Sequence, residues 1–229
     1  MRNETVQSET TVSFVGRWDA SGAEKIADGV VHLIGIVAAI SAGSILLALS
    51  FSSAGPGEYA AAVLYVAALL SVLSISFIYN MWPLTPAKWI LRRFDHSMIY
   101  VLIAATYTPF LAQLPDQSSA NLMLAALWIA AGAGIALKML MPGRLDRLAI
   151  AFYLLTGWSG LAVAHPLVEA LPETTMTLIV AGGVVYTAGV IFYIWRSLRF
   201  QSALWHLFVV IGAGLHCAAV IDSLVISRF

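Results

Sequence analysis

Seven apolar stretches run along the chain, and its lysines and arginines are confined almost entirely to every second gap between them. A spanning helix needs about 20 mostly apolar residues, because hydrocarbon offers the backbone no hydrogen-bonding partner except itself. Segments near 28–50, 59–82, 95–114, 120–140, 147–167, 174–196 and 202–226 meet that need. With 60% hydrophobic and only 10% charged residues in 229, a soluble domain of this length could not bury so much apolar surface. The formal net charge is zero, which leaves no basic face for nucleic acid. The single Cys217 excludes an internal disulfide and a cysteine-built zinc site. The chain therefore reads as an all-α integral membrane protein, a bundle of seven transmembrane helices.

Residues 1–25 read as a polar cytoplasmic tail without the apolar core of a cleavable signal, so the first span acts as its own anchor. Residues 26–229 read as one membrane domain, because the connections are short and near Pro, Gly or charge, as in Gly55-Pro56-Gly57, Leu114-Pro115-Asp116 and Pro142-Gly143. Arg2, Arg17 and Lys25 precede the first span. Lys88, Arg92 and Arg93 follow the second, Lys138, Arg144 and Arg147 the fourth, and Arg196 and Arg199 the sixth. Of the twelve basic residues only Arg228 lies on the other side. The positive-inside rule then places the N-terminus in the cytoplasm and the C-terminus outside. Gly182 and Gly189 share a helical face that allows close backbone approach, and Trp82, Trp89 and Trp195 fall where indole rings anchor spans.

Polar groups inside a membrane are costly, so their depth is informative. Glu24, Asp28 and His32 lie at the cytoplasmic entrance of span one, and Ser76 and Asn80 at the cytoplasmic end of span two. Asp95 and His96 open span three from the same side, as Ser202 and His206 open span seven. Ser76/Asn80 and Ser202/His206 are i, i+4 pairs, each presenting one helical face. Four spans thus bring His, Asp, Asn and Ser to one depth, a polar interior site suited to a small ligand or a metal. His96 is expected at the membrane interface and His165 in an outer loop. His216 is expected as a buried hydrogen-bonding residue near mid-membrane, beside a Cys217 that packs.

Several strings resemble the hemolysin III family, the bacterial relatives of the progestin and adipoQ receptor family and, more distantly, of alkaline ceramidases. They include Arg92-Arg93-Phe94-Asp95-His96, Ala104-Ala105-Thr106-Tyr107-Thr108-Pro109-Phe110, Glu24 with His32, and Gly157-Trp158. Gly182-Gly183 with Tyr186, Phe192-Tyr193 and Trp205-His206-Leu207-Phe208-Val209 extend the match, which runs in order from about residue 22 to residue 226. The resemblance implies a seven-helix fold with the N-terminus inside, a zinc ion near the cytoplasmic face and hydrolysis of lipid amides. It implies a zinc held by three histidines, one ending a Ser-x-x-x-His motif in span two and two in a His-x-x-x-His motif opening span seven. An aspartate opening span three holds the zinc-bound water.

Here the span-two motif reads Ser76 to Asn80 and the span-seven motif Ser202 to His206, so only His206 remains of the implied ligands, with Ser76 and Asp95 retained beside it. An amide oxygen and an unactivated hydroxyl are poor substitutes for imidazole. Zinc is therefore expected to be absent or weakly bound, with His32, His96 and His216 as the remaining interior candidates. One expected function is binding, regulation or membrane homeostasis without catalysis. The alternative is a zinc-dependent hydrolase of a membrane lipid amide, with Ser76 and Asp95 in its machinery. A membrane-lytic activity is a lesser alternative. The expected partners are the bilayer and a lipid or fatty-acyl ligand within the bundle.

Overall fold

The computed structural model describes residues 20–141 and 146–229, so most of the N-terminal tail and the Pro142-Gly143 connection lie outside the described residues. Helices account for the whole architecture of the described residues. They are α1 (Gly22–Ser53), α2 (Pro56–Met81), α3 (Pro86–Leu111), α4 (Gln117–Leu140), α5 (Asp146–Gly157), α6 (Ala164–Ala170), α7 (Glu173–Ile194) and α8 (Gln201–Leu224). A 3-10 turn, Ser159–Val163, joins α5 to α6, and together these pieces make the fifth of seven rods. The continuous span expected over 147–167 is thus interrupted at Trp158.

Several rods start where the sequence supplies a cap or a proline. Ser21 and Glu24 form a capping box at the head of α1, where the Ser21 hydroxyl accepts from the Glu24 amide at 3.3 Å and the Glu24 carboxylate from the Ser21 amide at 2.8 Å. Pro56 and Pro86 occupy the first turns of α2 and α3, where the missing N–H costs nothing. Asp116 accepts from the Ser118 and Ser119 amides to open α4, and these bonds with the Ser119 hydroxyl hold its carboxyl below the usual carboxylate range. Phe200 enters α8 in the left-handed region at φ 59°, and its amide donates to Glu24 at 3.0 Å. That bond ties the α7–α8 corner to the head of α1.

Six of the rods are long and apolar enough to cross a membrane, and large apolar side chains such as Ile26, Val37 and Leu122 point outward from them. This is a multi-pass membrane bundle. The seventh rod, α3, is less apolar because Lys88, Arg92, Arg93, Asp95 and His96 fill its first half; it lies between α2 and α4. The rods pack as neighbours in the order α4, α3, α2, α1, α8, α7, while α5 touches α3, α4 and α7 only lightly. That loose fit leaves an opening between α3, α5 and α7. The interior is fixed by Leu46, Tyr65, Leu69, Tyr100, Ala104 and Val220, all nearly inaccessible.

α1 turns one narrow face inward: Glu24, Asp28, His32, Gly35, Ala39, Gly43, Leu46 and Ser50. The spacing of three or four residues matches the 3.6-residue turn. Gly35 and Gly43 lie against Val210 and Val66, so the small residues set α1 close to α8 and α2 and carry Asp28 and His32 into the interior. Gly182 and Gly189 play the expected part on α7, against His216 and Phe208 of α8.

Candidate metal and lipid site

At the end of the bundle that carries the heads of α1, α3 and α8, a carboxylate and two imidazoles converge. The Asp28 carboxylate accepts from His206 Nδ1 at 2.6 Å and from the Ser202 hydroxyl at 3.3 Å. His32 Nδ1 donates to the main-chain oxygen of Asp28 at 2.8 Å, which leaves Nε2 as the acceptor. The Ser76 hydroxyl donates to it at 3.2 Å. The two imidazole rings stand 4.2 Å apart between centroids, and one ligand-capable atom from each of Asp28, His32 and His206 lies within 4.8 Å of the others. All three residues are buried.

The remaining sequence-predicted residues divide into two groups. Ser76 and Ser202 join the cluster directly through His32 and Asp28. Asn80 turns back on its own helix, donating to the Ser76 carbonyl at 2.9 Å and to the Ser76 hydroxyl at 3.3 Å. Asp95 stands against Ser76 and pairs with His96, whose Nδ1 is 3.2 Å from its carboxylate. The His96 ring is largely enclosed by the bundle, with Tyr79 packed edge-on against it, and Tyr153 donates to the His96 main-chain carbonyl at 2.9 Å. His216 lies elsewhere, with Nε2 3.1 Å from the Ile179 oxygen. His165, expected in a loop, sits on the short exposed helix α6, 3.4 Å from Glu169 one turn on.

Sequence reasoning placed Asp28 and His32 of span one at the depth of the polar cluster and kept His32 as an interior candidate, without pairing either with His206. Their i, i+4 spacing repeats that of Ser76/Asn80 and Ser202/His206. Gly35, Ala39 and Gly43 on the same face are the signal that the face turns inward.

Two cavities lie beside this cluster, the polar one reaching Asp28 and His206 and the apolar one reaching Asp95 and His96. A polar one of about 150 Å³ is lined by Asp28, Asn80, Asp95, His96, Ser202 and His206 and opens past Lys25, Lys88 and Arg196. An apolar one of about 250 Å³ runs between α3, α5, α7 and α8 past Ile99, Phe110, Leu154, Val180 and Val209. Both are lined by Asp95, His96, Tyr193 and Trp205. The donor chemistry of the cluster fits zinc, which takes imidazole nitrogen and carboxylate oxygen in catalytic sites with an open position.

The class of protein is a multi-pass membrane helical bundle with a buried polar cluster at one end, beside an apolar cavity. The particular family follows from comparison. The sequence profile described as Haemolysin-III related matches residues 23–217, and the chain belongs to that family. It is 34% identical over 191 residues to the "Hemolysin-3 homolog" of Bacillus subtilis, covering 83% of this chain and 89% of that one. It is 31% identical over 192 residues to "Hemolysin-3" of Bacillus cereus, covering 84% and 88%. The human "Monocyte to macrophage differentiation factor" is 27% identical over 215 residues, covering 90% of this chain and 86% of its own. No solved structure matches the chain.

Proposed function

We propose that this chain is an intramembrane hydrolase acting on the amide linkage of a membrane lipid. The observation that carries the reading is the meeting of the two cavities at Asp95 and His96. An acyl chain in the apolar cavity brings its polar linkage to that junction, while water and the departing amine have the polar mouth. Asp28, His32 and His206 would hold a divalent ion there, which supplies polarisation of the carbonyl and of the attacking water. In hydrolysis the amide C–N bond breaks, the water oxygen joins the acyl carbon, and a proton passes to the amine nitrogen. Asp95 would take the water proton and return it to the amine, with the His96 ring nitrogen 3.2 Å from its carboxylate. In this reading all seven rods cross the membrane, with the polar mouth at the cytoplasmic face of a bacterial inner membrane.

The test is release of free fatty acid from vesicles containing a ceramide, using the full chain purified in the presence of zinc. Asp95→Asn is expected to lower the rate at least about 100-fold, the scale of a positioned acid–base group. Zinc-loaded protein that releases no fatty acid defeats the reading. Asn80 and Ser202, where the family resemblance implies zinc ligands, favour a second reading. In it the cavity binds lipid in a regulatory or membrane-homeostasis role without turnover. Intact ceramide recovered at one per chain, with no product, supports it.

A further inference from the structure

We infer that this chain carries a relocated metal centre. A divalent first-row ion, zinc foremost, is bound by Asp28 and His32 of α1 with His206 of α8, and Asn80 and Ser202 take no part as ligands. A hydrogen-bonded Asp28–His206 pair needs one imidazole only. The structure brings a second, with its ring 4.2 Å from the first and its ligand-capable atom within the same 4.8 Å sphere. His32 is also set up as a ligand: Nδ1–H is committed to the Asp28 carbonyl at 2.8 Å, so Nε2 keeps its lone pair, met here by the Ser76 hydroxyl at 3.2 Å. Metal-binding histidines are held by the same kind of bond from the other ring nitrogen, which fixes tautomer and ring plane.

The replaced positions fit this assignment. Asn80 spends its amide group on its own helix, on the Ser76 carbonyl and hydroxyl, so it acts as a prop for Ser76. Ser76 in turn holds His32 at 3.2 Å. Ser202 bonds Asp28 at 3.3 Å and so steadies the carboxylate. Two neutral props thus stand where imidazoles would have been, and each contacts one of the α1 donors. Two imidazoles and one carboxylate suit zinc, cobalt or manganese, and the oxygen-only requirement of magnesium or calcium is not met. The centre draws on the hydrolase reading only for its role, since its ligands are fixed by geometry.

The experiment uses the full chain in detergent, with any affinity tag removed, stripped by chelator and titrated with zinc or cobalt. Metal per chain is read by mass spectrometry and the cobalt site by its visible absorption. Wild type is expected to hold one ion per chain with the absorption of a site containing nitrogen ligands. Asp28→Asn and His32→Gln should each weaken binding by more than about 100-fold, beyond the loss from removing a supporting residue. Asn80→Ala and Ser202→Ala should retain the ion within about 10-fold, the lower end of that supporting-residue range. A wild type that takes up no metal overturns the assignment. So does metal that survives both α1 substitutions and is lost with Asn80→Ala or Ser202→Ala. To guard against misfolding, Asn80→His with Ser202→His is added to the Asp28→Asn, His32→Gln chain; recovered metal shows an intact fold that had lost its α1 ligands. Stoichiometric zinc without fatty-acid release removes the hydrolase reading and leaves the centre standing. Fatty-acid release by a chain that takes up no metal on titration removes the centre and leaves amide hydrolysis standing without it.

Discussion

Gly134 of α4 lies directly under the ring of Tyr100, and a Cβ built there would come within 2.5 Å of it. Tyr100 is 1% exposed and wedged against Phe152 and Tyr153, so the ring has nowhere to go. Gly134→Ala is therefore expected to destabilise the bundle by about 1–3 kcal/mol, the range for overpacking a filled interior. Gly132, two residues away, meets nothing within 4 Å, and Gly132→Ala should leave the thermal midpoint in detergent unchanged or slightly raised. Equal midpoints for the two variants would show that α4 does not sit on Tyr100. The two glycines look alike in the sequence, because composition says that small residues allow close approach but not which of them faces a ring. The same gap left the pairing of Asp28 and His32 with His206 unread. Their depth was legible from residue counting, whereas their inward direction depends on Gly35 against Val210 and Gly43 against Val66, contacts made by other helices.

The break in the fifth rod is decided by contacts at the scale of whole elements. α5 stops at Gly157, and the Tyr107 hydroxyl of α3 donates to the Gly157 carbonyl and accepts from the Gly160 amide at 2.9 Å. Trp158 leaves the helix direction and bonds Thr187 of α7 at 3.0 Å, while Ser159 caps back onto Thr156 at 2.7 Å. Backbone groups freed within a membrane must find such partners. Tyr107→Phe leaves the exposed Gly157 carbonyl and the half-buried Gly160 amide without theirs, at up to about 1–3 kcal/mol for each group that finds no other partner. A lower thermal midpoint and faster amide exchange confined to 157–163 are the expected results. Unchanged exchange in that segment would mean that the turn holds itself. Length and hydropathy made the span readable, but its interruption depends on a tyrosine fifty residues earlier in the chain. Gly157, Ser159 and Gly160 permit the turn, and Tyr107 holds it.

For the whole molecule, the charge pattern read from the sequence agrees with the end of the bundle at which the structure gathers its polar site. Lys25, Lys88 and Arg196 line the polar mouth, and Arg92 is buried one turn from Asp95. Arg228, the one basic residue at the opposite end, is accounted for by pairing: its guanidinium makes two 2.7 Å bonds to Glu58 and a third to Gln113 at 3.1 Å. A cation neutralised this way ties α8 to α2 and α3 and adds little to the charge balance that orients the chain. The expected topology is therefore set by the other end, with the mouth cytoplasmic and the C-terminus outside. Alkaline phosphatase needs disulfides that form outside the reducing cytoplasm, so it reports the side directly. Fused after Phe229 it should be active, and inserted between Leu84 and Thr85, beside the mouth, it should be inactive. The reversed result would put the metal and lipid site on the outer face. The ion supply and the lipid leaflet assumed for the hydrolase would then both be wrong, even with every distance in the cluster unchanged.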